Sequence, residues 1–357
     1  MNIFTDVYFP KAARVALLAG LDPVVSYRVF TRSDGIAALK PFKMMVEMLC
    51  PSAQVRVLPE GCHFKSGDTI GIITAKFRDI VDYESMYLWY AALPSYCALE
   101  ARKIKNAADD KELLAFENRH NFGAEATALT SYGAYVGGIT KSSCHVGANP
   151  LNYLEYMINH YKQLIEFTHD IGPNRGVGTT PHALFAIFRG DYEAACKAYL
   201  EAFPDDNIMI LNDYNNKEID DSLVAYETLG EKLHAVRSDT CGENSAQMYQ
   251  NVPADPNGIK GIHEGALIAL RKALDNNGAN KVKICGTSGF NAKKTERFMS
   301  FAPDAIDIIG TGSFIPKWPT ATADIFEVDG ERETKKGREW GYEANDKFEQ
   351  VLKDFAA

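Results

Sequence analysis

The chain has 357 residues, of which 46% are hydrophobic and 24% are charged, and it carries a formal net charge of −9. These values predict a globular protein with a large core, long enough for two domains. The negative charge argues against nucleic-acid binding as the main role, although an acidic protein can bind an anion where a pocket is locally basic.

The seven cysteines are far apart and odd in number, and none belongs to a Cys-x-x-Cys pair. We therefore expect free thiols in a reducing cytoplasm rather than a zinc knuckle. The stretch MNIFTDVYFPKAAR has no basic segment followed by an apolar core, and no apolar run reaches the roughly 18 residues of a membrane span. A cytoplasmic protein without a signal peptide or a membrane segment is the expectation.

The first hundred residues are predicted to mix strands and helices. Val24–Phe30 and Gln54–Glu60 have the composition of strands, and Gly61–Ala75 is typical of a hairpin around a turn at 65–68. A long apolar helix is predicted from Tyr83 to about Ala108, interrupted near Pro94.

After about Phe122, strand-like and helix-like segments alternate, which is typical of βα units with parallel strands. The predicted strands are YVGGIT, RGVGTT, NIMILND, LHAVRSD, KVKICGTSG, AIDIIGTGS and ATADIFEVDG. The predicted helices include 218–229, a long helix from about Gly258 to Asn277, and NAKKTERFMSF. The tail ERETKKGREWGYEANDKFEQ is charged and polar.

Small or polar residues cluster where six predicted strands end. The clusters are 140–143, 178–182, 212–215, 237–239, 286–289 and 310–313. In a doubly wound sheet only the loops at the switch point meet at one site, whereas in an α/β barrel all C-terminal loops converge on one mouth. Six such ends in a row favour an α/β barrel.

One of these clusters begins a helix and contains a histidine. In GTTPHALFAIF, Thr180 is a good N-cap and Pro181 suits the first helical position. His182 then falls in the first turn, where the backbone N–H groups disfavour an imidazolium. His182 is therefore a candidate functional residue, and the alternative is a helix-start histidine that hydrogen-bonds a neighbour.

The last two clusters, GTSG at 286–289 and GTGS at 310–313, each follow a predicted strand. Glycines and hydroxyls of this kind let backbone N–H groups approach a phosphate, and barrel enzymes often bind phosphate on their last two βα loops. The sequence therefore predicts a phosphate site there, with two ordinary turns as the alternative.

Basic residues stand at positions where they can face the same mouth. Arg237 ends an apolar strand two residues before Asp239, which suits either a structural ion pair or a clamp on a carboxylate or phosphate, with the acid near Mg²⁺ or a sugar hydroxyl. Arg119-His120 precedes the first βα unit, and Lys141 adds a further positive charge.

Eight short motifs follow one another along most of the chain: TDVYF, GDTIGII, NRHNFG, AYVGGITKSS, VGTTPHAL, AVRSDT, TSGF and IGTGS. With them the chain resembles the nicotinate phosphoribosyltransferases, a type II phosphoribosyltransferase family, and especially its shorter archaeal-type members. The resemblance implies an irregular α/β barrel with an open-faced β-sandwich domain. It assigns 1–121 to the N-terminal sandwich, 122–315 to the catalytic barrel and 316–357 to a C-terminal segment that returns to the sandwich.

The resemblance also implies a reaction in NAD biosynthesis. Nicotinate attacks C1 of phosphoribosyl pyrophosphate with Mg²⁺ present, and nicotinate mononucleotide and pyrophosphate are formed. Many members couple this step to ATP hydrolysis through a phosphorylated histidine, and they share active sites in a homodimer or a higher even oligomer.

The implied roles fall on residues of this chain as follows. His182 matches the phosphorylated histidine, and Arg237 and Asp239 complete the predicted catalytic set. The predicted substrate-binding residues are Tyr8, Arg119, His120, Thr140, Ser142 and Thr179, with Tyr8 stacking on the pyridine ring from the neighbouring subunit. The predicted phosphate cradle is Thr287, Ser288, Gly289, Gly310, Thr311 and Gly312.

Two departures from the family pattern keep alternatives open. Asn212-Asp213 stands where the family usually has Asp-Thr, and Thr287-Ser288-Gly289 stands for Ser-Gly-Gly. A nicotinamide or quinolinate phosphoribosyltransferase therefore stays possible, as does a non-catalytic homologue that binds nucleotide. An acidic side chain near Tyr8 would favour an amide substrate, and a second basic side chain would favour a carboxylate substrate.

Overall fold

The fold is taken from a computed structural model, which describes residues 4–108, 113–165, 178–250, 259–311 and 319–356. Its strands are β1 (Val24–Thr31), β2 (Gly35–Ile36), β3 (Gln54–Val57), β4 (His63–Phe64), β5 (Thr69–Lys76), β6 (Ile208–Leu211), β7 (Leu233–Ser238), β8 (Lys283–Gly286), β9 (Ile308–Ile309), β10 (Ala321–Val328) and β11 (Glu331–Arg332). The predicted strands at 24–30, 207–213, 233–239 and 321–330 are confirmed, with ends that differ by one to two residues.

The helices, in chain order, are α1 (Tyr8–Leu18), α2 (Lys40–Leu49), α3 (Phe77–Ile80), α4 (Glu84–Ala107), α5 (Ala124–Gly137), α6 (His145–Ala148), α7 (Pro150–Ile165), α8 (His182–Ile187), α9 (Tyr192–Ala202), α10 (Glu218–Leu229), α11 (Glu264–Asn276), α12 (Ala292–Phe301) and α13 (Gly341–Ala356). Among the residues that the structure describes, no helix has the length and apolar character needed to cross a membrane.

An antiparallel sheet combines segments from both ends of the sequence. Its strand order is β11-β10-β1-β5-β3, so that the central strand β1 pairs with β5 on one side and with β10 on the other. β1 and β5 are buried along almost their whole length. Helices cover the sheet, with α2 against β3, α4 against β10 and α13 against β5. The division of the chain into the three predicted ranges stays a prediction.

A parallel sheet forms the second half of the structure, in the order β6-β7-β8-β9. Its strands are short and apolar, as expected where helices cover the faces of a parallel sheet. The helices α10, α11 and α12 follow β6, β7 and β8 in turn. The α/β class is thereby confirmed, and closure of this sheet into a barrel stays a prediction.

The predicted strand YVGGIT is wrong, because Tyr135 and Val136 belong to the last turn of α5. Packing overrides their strand propensity: a Cβ at Gly133 would lie 2.3 Å from the Pro94 carbonyl oxygen, so only glycine allows α5 this close to α4. Pro94 lies inside α4, which runs through it without the predicted interruption.

The predicted hairpin at 61–75 is also wrong. β4 pairs with β2, whereas β5 pairs with β1 and β3, so the two strands beside the turn belong to different sheets. The turn itself is present, with the Lys65 N–H donating to the Asp68 carboxylate at 2.8 Å. The local chemistry of a turn therefore does not determine which strands pair across it.

Two helices differ from the sequence-based bounds. α11 begins at Glu264, where the His263 ring accepts a hydrogen bond from the Gly265 N–H, and Gly258 lies outside the described residues. The charged tail contains α13, whose Phe348 is buried and whose Asn345 accepts a hydrogen bond from Thr69 at 2.7 Å.

Candidate active site

A cavity of about 270 Å³ is lined by residues from both halves of the structure. The half with the parallel sheet contributes His182, Arg237, Asp239 and Ser288, among others. The half with the antiparallel sheet contributes Tyr8, Arg32, Glu84, Asp324, Lys335 and Arg338. The structure therefore brings His182, Arg237, Asp239, Ser288 and Tyr8 together as predicted site neighbours.

His182 is the first residue of α8, a helix of only six residues. The predicted N-cap is wrong: Pro181 occupies the cap position in an extended conformation, and no side chain caps the helix. The Thr180 hydroxyl instead accepts a hydrogen bond from the Leu211 N–H at 2.8 Å, which ties this loop to the end of β6. The His182 ring is 29% exposed.

Two buried side chains meet at the Nε2 atom of His182. The Asp213 carboxylate lies at 3.2 Å through Oδ1, and the Lys335 Nζ lies at 2.8 Å. Lys335 also donates to Asp213 Oδ2 at 2.5 Å, so the three side chains form one cluster. Asp213 is fully buried and Lys335 is 5% exposed, whereas the histidine faces the cavity.

The protonation states in this cluster follow from burial and from the neighbouring charges. Burial, and then the Lys335 ammonium, lower the pKa of His182 below its ordinary value, although Asp213 opposes them. Burial alone would raise the pKa of Asp213, but Lys335 and His182 outweigh it and hold that pKa well below its usual range. Burial lowers the pKa of Lys335, but the carboxylates of Asp213 and Asp239 outweigh it and raise that pKa above its ordinary value. Near pH 7 the cluster is a neutral ring beside an ion pair.

Arg237 lies near the end of β7 and Asp239 directly follows that strand, beside this cluster. Arg237 Nη1 lies 3.7 Å from the Asp239 carboxylate, and Nη2 donates to the Thr180 carbonyl oxygen at 3.4 Å. Asp239 accepts a hydrogen bond of 2.7 Å from the Thr287 hydroxyl. Both predicted roles of Arg237 are thus compatible with its position, because it is paired and also lines the cavity.

The predicted phosphate cradle is present in part. Ser288 and Gly289 both have positive φ, +70° and +72°, in the turn after β8, and Ser288 lines the cavity. The hydroxyls of Thr287 and Thr311 are used within the protein, the latter on the Phe290 carbonyl. Gly310 follows β9, where its N–H donates to Gly286, and Gly312 lies outside the described residues. Phosphate binding by these residues stays a prediction.

Tyr8 lines the cavity of its own chain. The prediction that Tyr8 comes from a neighbouring subunit is therefore not needed to explain its place beside His182. Its phenol donates to Asp6 at 2.9 Å, and burial, followed by Asp6 and Glu84, raises its pKa well above the usual range.

Four other predicted substrate residues do not line this cavity. His120 and Thr140 are exposed, and Ser142 donates to Glu117 at 3.3 Å. Thr179 is buried and donates to the Met209 carbonyl at 3.2 Å. The side chain of Arg119 lies outside what the structure describes, so the roles of these residues stay predictions.

The cationic residues that the sequence reasoning missed come from the antiparallel half. Arg32, at the end of β1, pairs with Glu243, and Arg338 lies 3.6 Å from both Glu243 and Asp324. Arg338 is buried, and its Nε and Nη1 atoms have no hydrogen-bond partner among the described residues. For Lys335 and Arg338 the only signal in the sequence was a Lys-Lys-Gly-Arg run at 335–338 within a charged tail.

The charge balance of the lining favours an anion. Four cationic side chains and three carboxyl groups line the cavity, and one of those carboxyls, Glu84, has a pKa raised to about 8 by burial and by Asp324 and Asp6. An acidic protein thus contains a locally basic cavity, in which guanidinium groups suit phosphate or carboxylate.

No group of three or more potential metal ligands occurs among the described residues. Mg²⁺ is often held by one or two carboxylates together with substrate phosphates. The carboxyl groups that line the cavity are therefore compatible with a Mg²⁺ ion that enters with a phosphate substrate. Mg²⁺ and ATP stay predictions.

Solved structures similar to this chain are nicotinate-processing enzymes by their names. Nicotinate-nucleotide pyrophosphorylase from Pyrococcus furiosus is 25% identical, with 93% of this chain and 77% of that chain covered and a TM-score of 0.43. Human nicotinic acid phosphoribosyltransferase is 17% identical, with 92% and 76% covered and a TM-score of 0.39. Nicotinate phosphoribosyltransferase from Porphyromonas gingivalis is 11% identical, with 93% and 92% covered and a TM-score of 0.48.

No protein-family model matches the chain, and no curated protein matches it either.

Proposed function

We propose that this protein is a phosphoribosyltransferase that forms nicotinate mononucleotide and pyrophosphate from nicotinate and phosphoribosyl pyrophosphate. The observation that carries the proposal is the cluster of His182, Asp213 and Lys335 at the wall of a locally basic cavity. A partly buried histidine kept neutral at pH 7 is a nucleophile, and the cations around it suit a phosphorylated substrate. The ordered family motifs support the same reaction.

In the proposed coupled reaction, one nitrogen of the neutral His182 ring attacks the γ-phosphorus of ATP, and ADP leaves as the P–O bond breaks. The phosphoryl group on the ring would lie near Lys335 and Arg237, which offset its charge. Hydrolysis of the phosphohistidine would then release phosphate and return the ring to its neutral form.

Phosphoribosyl transfer needs a place for each part of its substrates. The turn at 287–289 suits the 5′-phosphate, and Arg32 and Arg338 suit the pyrophosphate on the opposite wall. Tyr8 offers a ring face to the pyridine, and Arg237 a guanidinium to its carboxylate. Positioning by these groups would bring the pyridine nitrogen to C1 as pyrophosphate leaves.

Nicotinamide is a second candidate substrate, and one observation favours it. Glu84 lines the cavity together with Tyr8, and its raised pKa leaves much of it protonated near pH 7. A protonated carboxyl group beside the ring can both donate to an amide and accept from it, whereas it can only donate to a carboxylate and would repel it once ionised.

The deciding experiment incubates the protein with phosphoribosyl pyrophosphate, Mg²⁺ and one of nicotinate, nicotinamide or quinolinate, with and without ATP. Formation of nicotinate mononucleotide supports the proposal, and formation of the amide or quinolinate product selects an alternative. Binding of nucleotide with no product from any base would indicate the non-catalytic homologue.

We also propose a homodimer or a higher even oligomer in the cytoplasm. The support for this assembly is the family resemblance. The position of Tyr8 does not add to it, because Tyr8 lines the cavity of its own chain. Light scattering on the active protein tests this assembly, and a fully active monomer would contradict it.

A further inference from the structure

Lys335 reaches His182 from a segment 153 residues further along the chain. The segment is fixed beside the cluster by its main chain, since the Lys336 N–H donates to the Tyr214 carbonyl at 3.0 Å, next to Asp213. The Asn244 side chain donates to the Lys336 carbonyl at 2.7 Å, and Gly337 has a φ of +82° that lets the chain turn there. The ammonium group of Lys335 is therefore held in place by several contacts outside the cluster.

The two neighbours of His182 Nε2 make opposite demands on that atom. An ammonium group can only donate a hydrogen bond, and a carboxylate can only accept one. If Nε2 carried a proton, the ring N–H would point at both Lys335 and Asp213, which satisfies only the carboxylate. The shorter distance, 2.8 Å against 3.2 Å, indicates that Lys335 donates to an unprotonated Nε2. The ring proton is then on Nδ1.

The charged groups that act on the ring come from three elements. Lys335 comes from the C-terminal segment, Asp213 from the end of β6, and Asp239 from the end of β7. Burial and Lys335 disfavour a protonated ring, and the two carboxylates favour it. Since the first two effects prevail, Lys335 offsets carboxylates that would otherwise bring a proton onto the nucleophile.

We propose that Lys335 is a positioning residue for His182: it holds the ring by a hydrogen bond to Nε2 and selects the tautomer with the proton on Nδ1. Its value for catalysis rests on the proposed function, because a neutral ring with an unprotonated Nε2 is needed only if His182 is a nucleophile. Nε2 is then the attacking nitrogen, and the Lys335 ammonium passes from Nε2 to the oxygens of the incoming phosphoryl group as the N–P bond forms. Its effect on the ring does not rest on that function and can be measured in the protein without substrate.

The test uses two variants and a neighbouring control. Lys335→Met removes the charge and keeps most of the side-chain volume, and Lys335→Arg keeps the charge. Lys336→Met is the control, because Lys336 is adjacent in sequence but 66% exposed and paired only loosely with Glu339 at 3.8 Å. The His182 ring is observed by ¹⁵N NMR over a pH titration, with its signals assigned by their loss in His182→Gln.

We expect the wild-type ring to show an unprotonated Nε2 and a pKa below 6.5, the ordinary value. In Lys335→Met the pKa should rise toward or above 6.5, in Lys335→Arg it should stay low, and in Lys336→Met it should not change. A wild-type ring protonated on Nε2 at neutral pH overturns the proposal, as does an unchanged pKa in folded Lys335→Met. If Lys335→Met does not fold, the proposal is decided by the protonation of Nε2 in the wild-type ring and by the pKa of the ring in Lys335→Arg.

The pH profile of mononucleotide formation separates this inference from the proposed function. The acidic limb of activity should move to higher pH in Lys335→Met and return in Lys335→Arg, which a purely structural lysine would not cause. If the wild-type protein forms no mononucleotide, the proposed function fails, and the NMR titration still decides the role of Lys335.

Discussion

The two walls of the cavity are built in different ways. On the parallel side, Asp213 follows β6, Arg237 lies near the carboxyl end of β7 and Ser288 follows β8, so one edge of a single sheet presents them together. On the antiparallel side, Arg32 ends a strand from the start of the chain, and Lys335 and Arg338 come from a segment near its end. The first wall depends on strand order within one sheet, and the second depends on long-range pairing of β1 with β10.

The two walls also differ in which groups they contribute to the cavity. The parallel wall holds the histidine and the turn predicted to bind phosphate, whereas the antiparallel wall supplies most of the positive charge. Lys335 is the side chain of the second wall that reaches across to the first. Variants that remove single groups from each wall can therefore test whether the two have separate roles.

The largest effect is expected where the walls meet. Asp213→Ala leaves the Lys335 ammonium buried without its carboxylate partner, which typically costs about 3–5 kcal/mol in the free energy of unfolding. Urea unfolding measures this loss. The double variant Asp213→Ala/Lys335→Met should recover much of the stability, because no charge is then left unpaired.

The matched control for that experiment is Asp206→Ala, which breaks the ion pair with Lys11 at a partly exposed site. Its cost should be at most about 1 kcal/mol. Equal losses in Asp213→Ala and Asp206→Ala would show that the cluster is no more than an ordinary surface pair.

The next effect concerns the parallel wall alone. His182→Ala should abolish ATP stimulation and leave slower, uncoupled synthesis, because the other substrate contacts remain. ATP hydrolysis and mononucleotide formation are measured side by side, with His63→Ala as the control for an exposed histidine that does not line the cavity. Full coupling in His182→Ala would make this residue a substrate contact only.

A smaller effect separates the substrates of the two walls. Arg237→Ala should raise the KM for the base, and Arg32→Met should raise the KM for phosphoribosyl pyrophosphate. Loss of a charged hydrogen bond of about 1.5–3 kcal/mol corresponds to roughly 10- to 150-fold in either case. Stability should change little, since both side chains face the cavity.

Arg56→Met is the control for Arg32→Met, because both arginines are about half exposed, at 49% and 47%, and both pair with a glutamate. Arg56 does not line the cavity. An equal rise of the KM for phosphoribosyl pyrophosphate in Arg32→Met and Arg56→Met would contradict separate substrate roles for the walls. A much lower melting temperature of Arg237→Ala with wild-type kinetics would contradict them as well.

The last effect is a pH dependence of stability from Glu84. Its folded pKa of about 8 lies above the ordinary 4.5, so the contribution of this group is full below pH 4.5 and is lost as pH rises toward 8. Glu84→Gln should therefore flatten the decline of the melting temperature across this range. Glu47→Gln, at an exposed site on α2, should leave the wild-type profile unchanged.

A Glu84→Gln protein with the full wild-type decline would show that Glu84 is ionised in the folded state. The same variant tests the second candidate substrate, because a glutamine cannot ionise and therefore removes the repulsion of a carboxylate substrate that Glu84 would exert as the pH rises toward 8.

The sequence predicted the parallel wall well for a physical reason. Polar residues directly after apolar strands, such as Asn212-Asp213 after β6, mark the edge of a parallel sheet where side chains meet. The strand-like YVGGIT failed because local propensity says nothing about the close helix contact that Gly133 permits. Lys335 could not be distinguished from Lys336 by any local pattern, since its partners lie 122 and 153 residues away.

The pairing of β1 with both β5 and β10 has a consequence for the order in which the protein is made. During synthesis, β5 emerges soon after β1, but the other edge of β1 has no partner until residues 321–328 leave the ribosome. A strand with one open edge is a target for wrong pairing, and this edge of β1 stays without its partner for most of the translation of the chain. Lys335 follows β10, and His182 therefore receives its ammonium partner only after the sheet has closed.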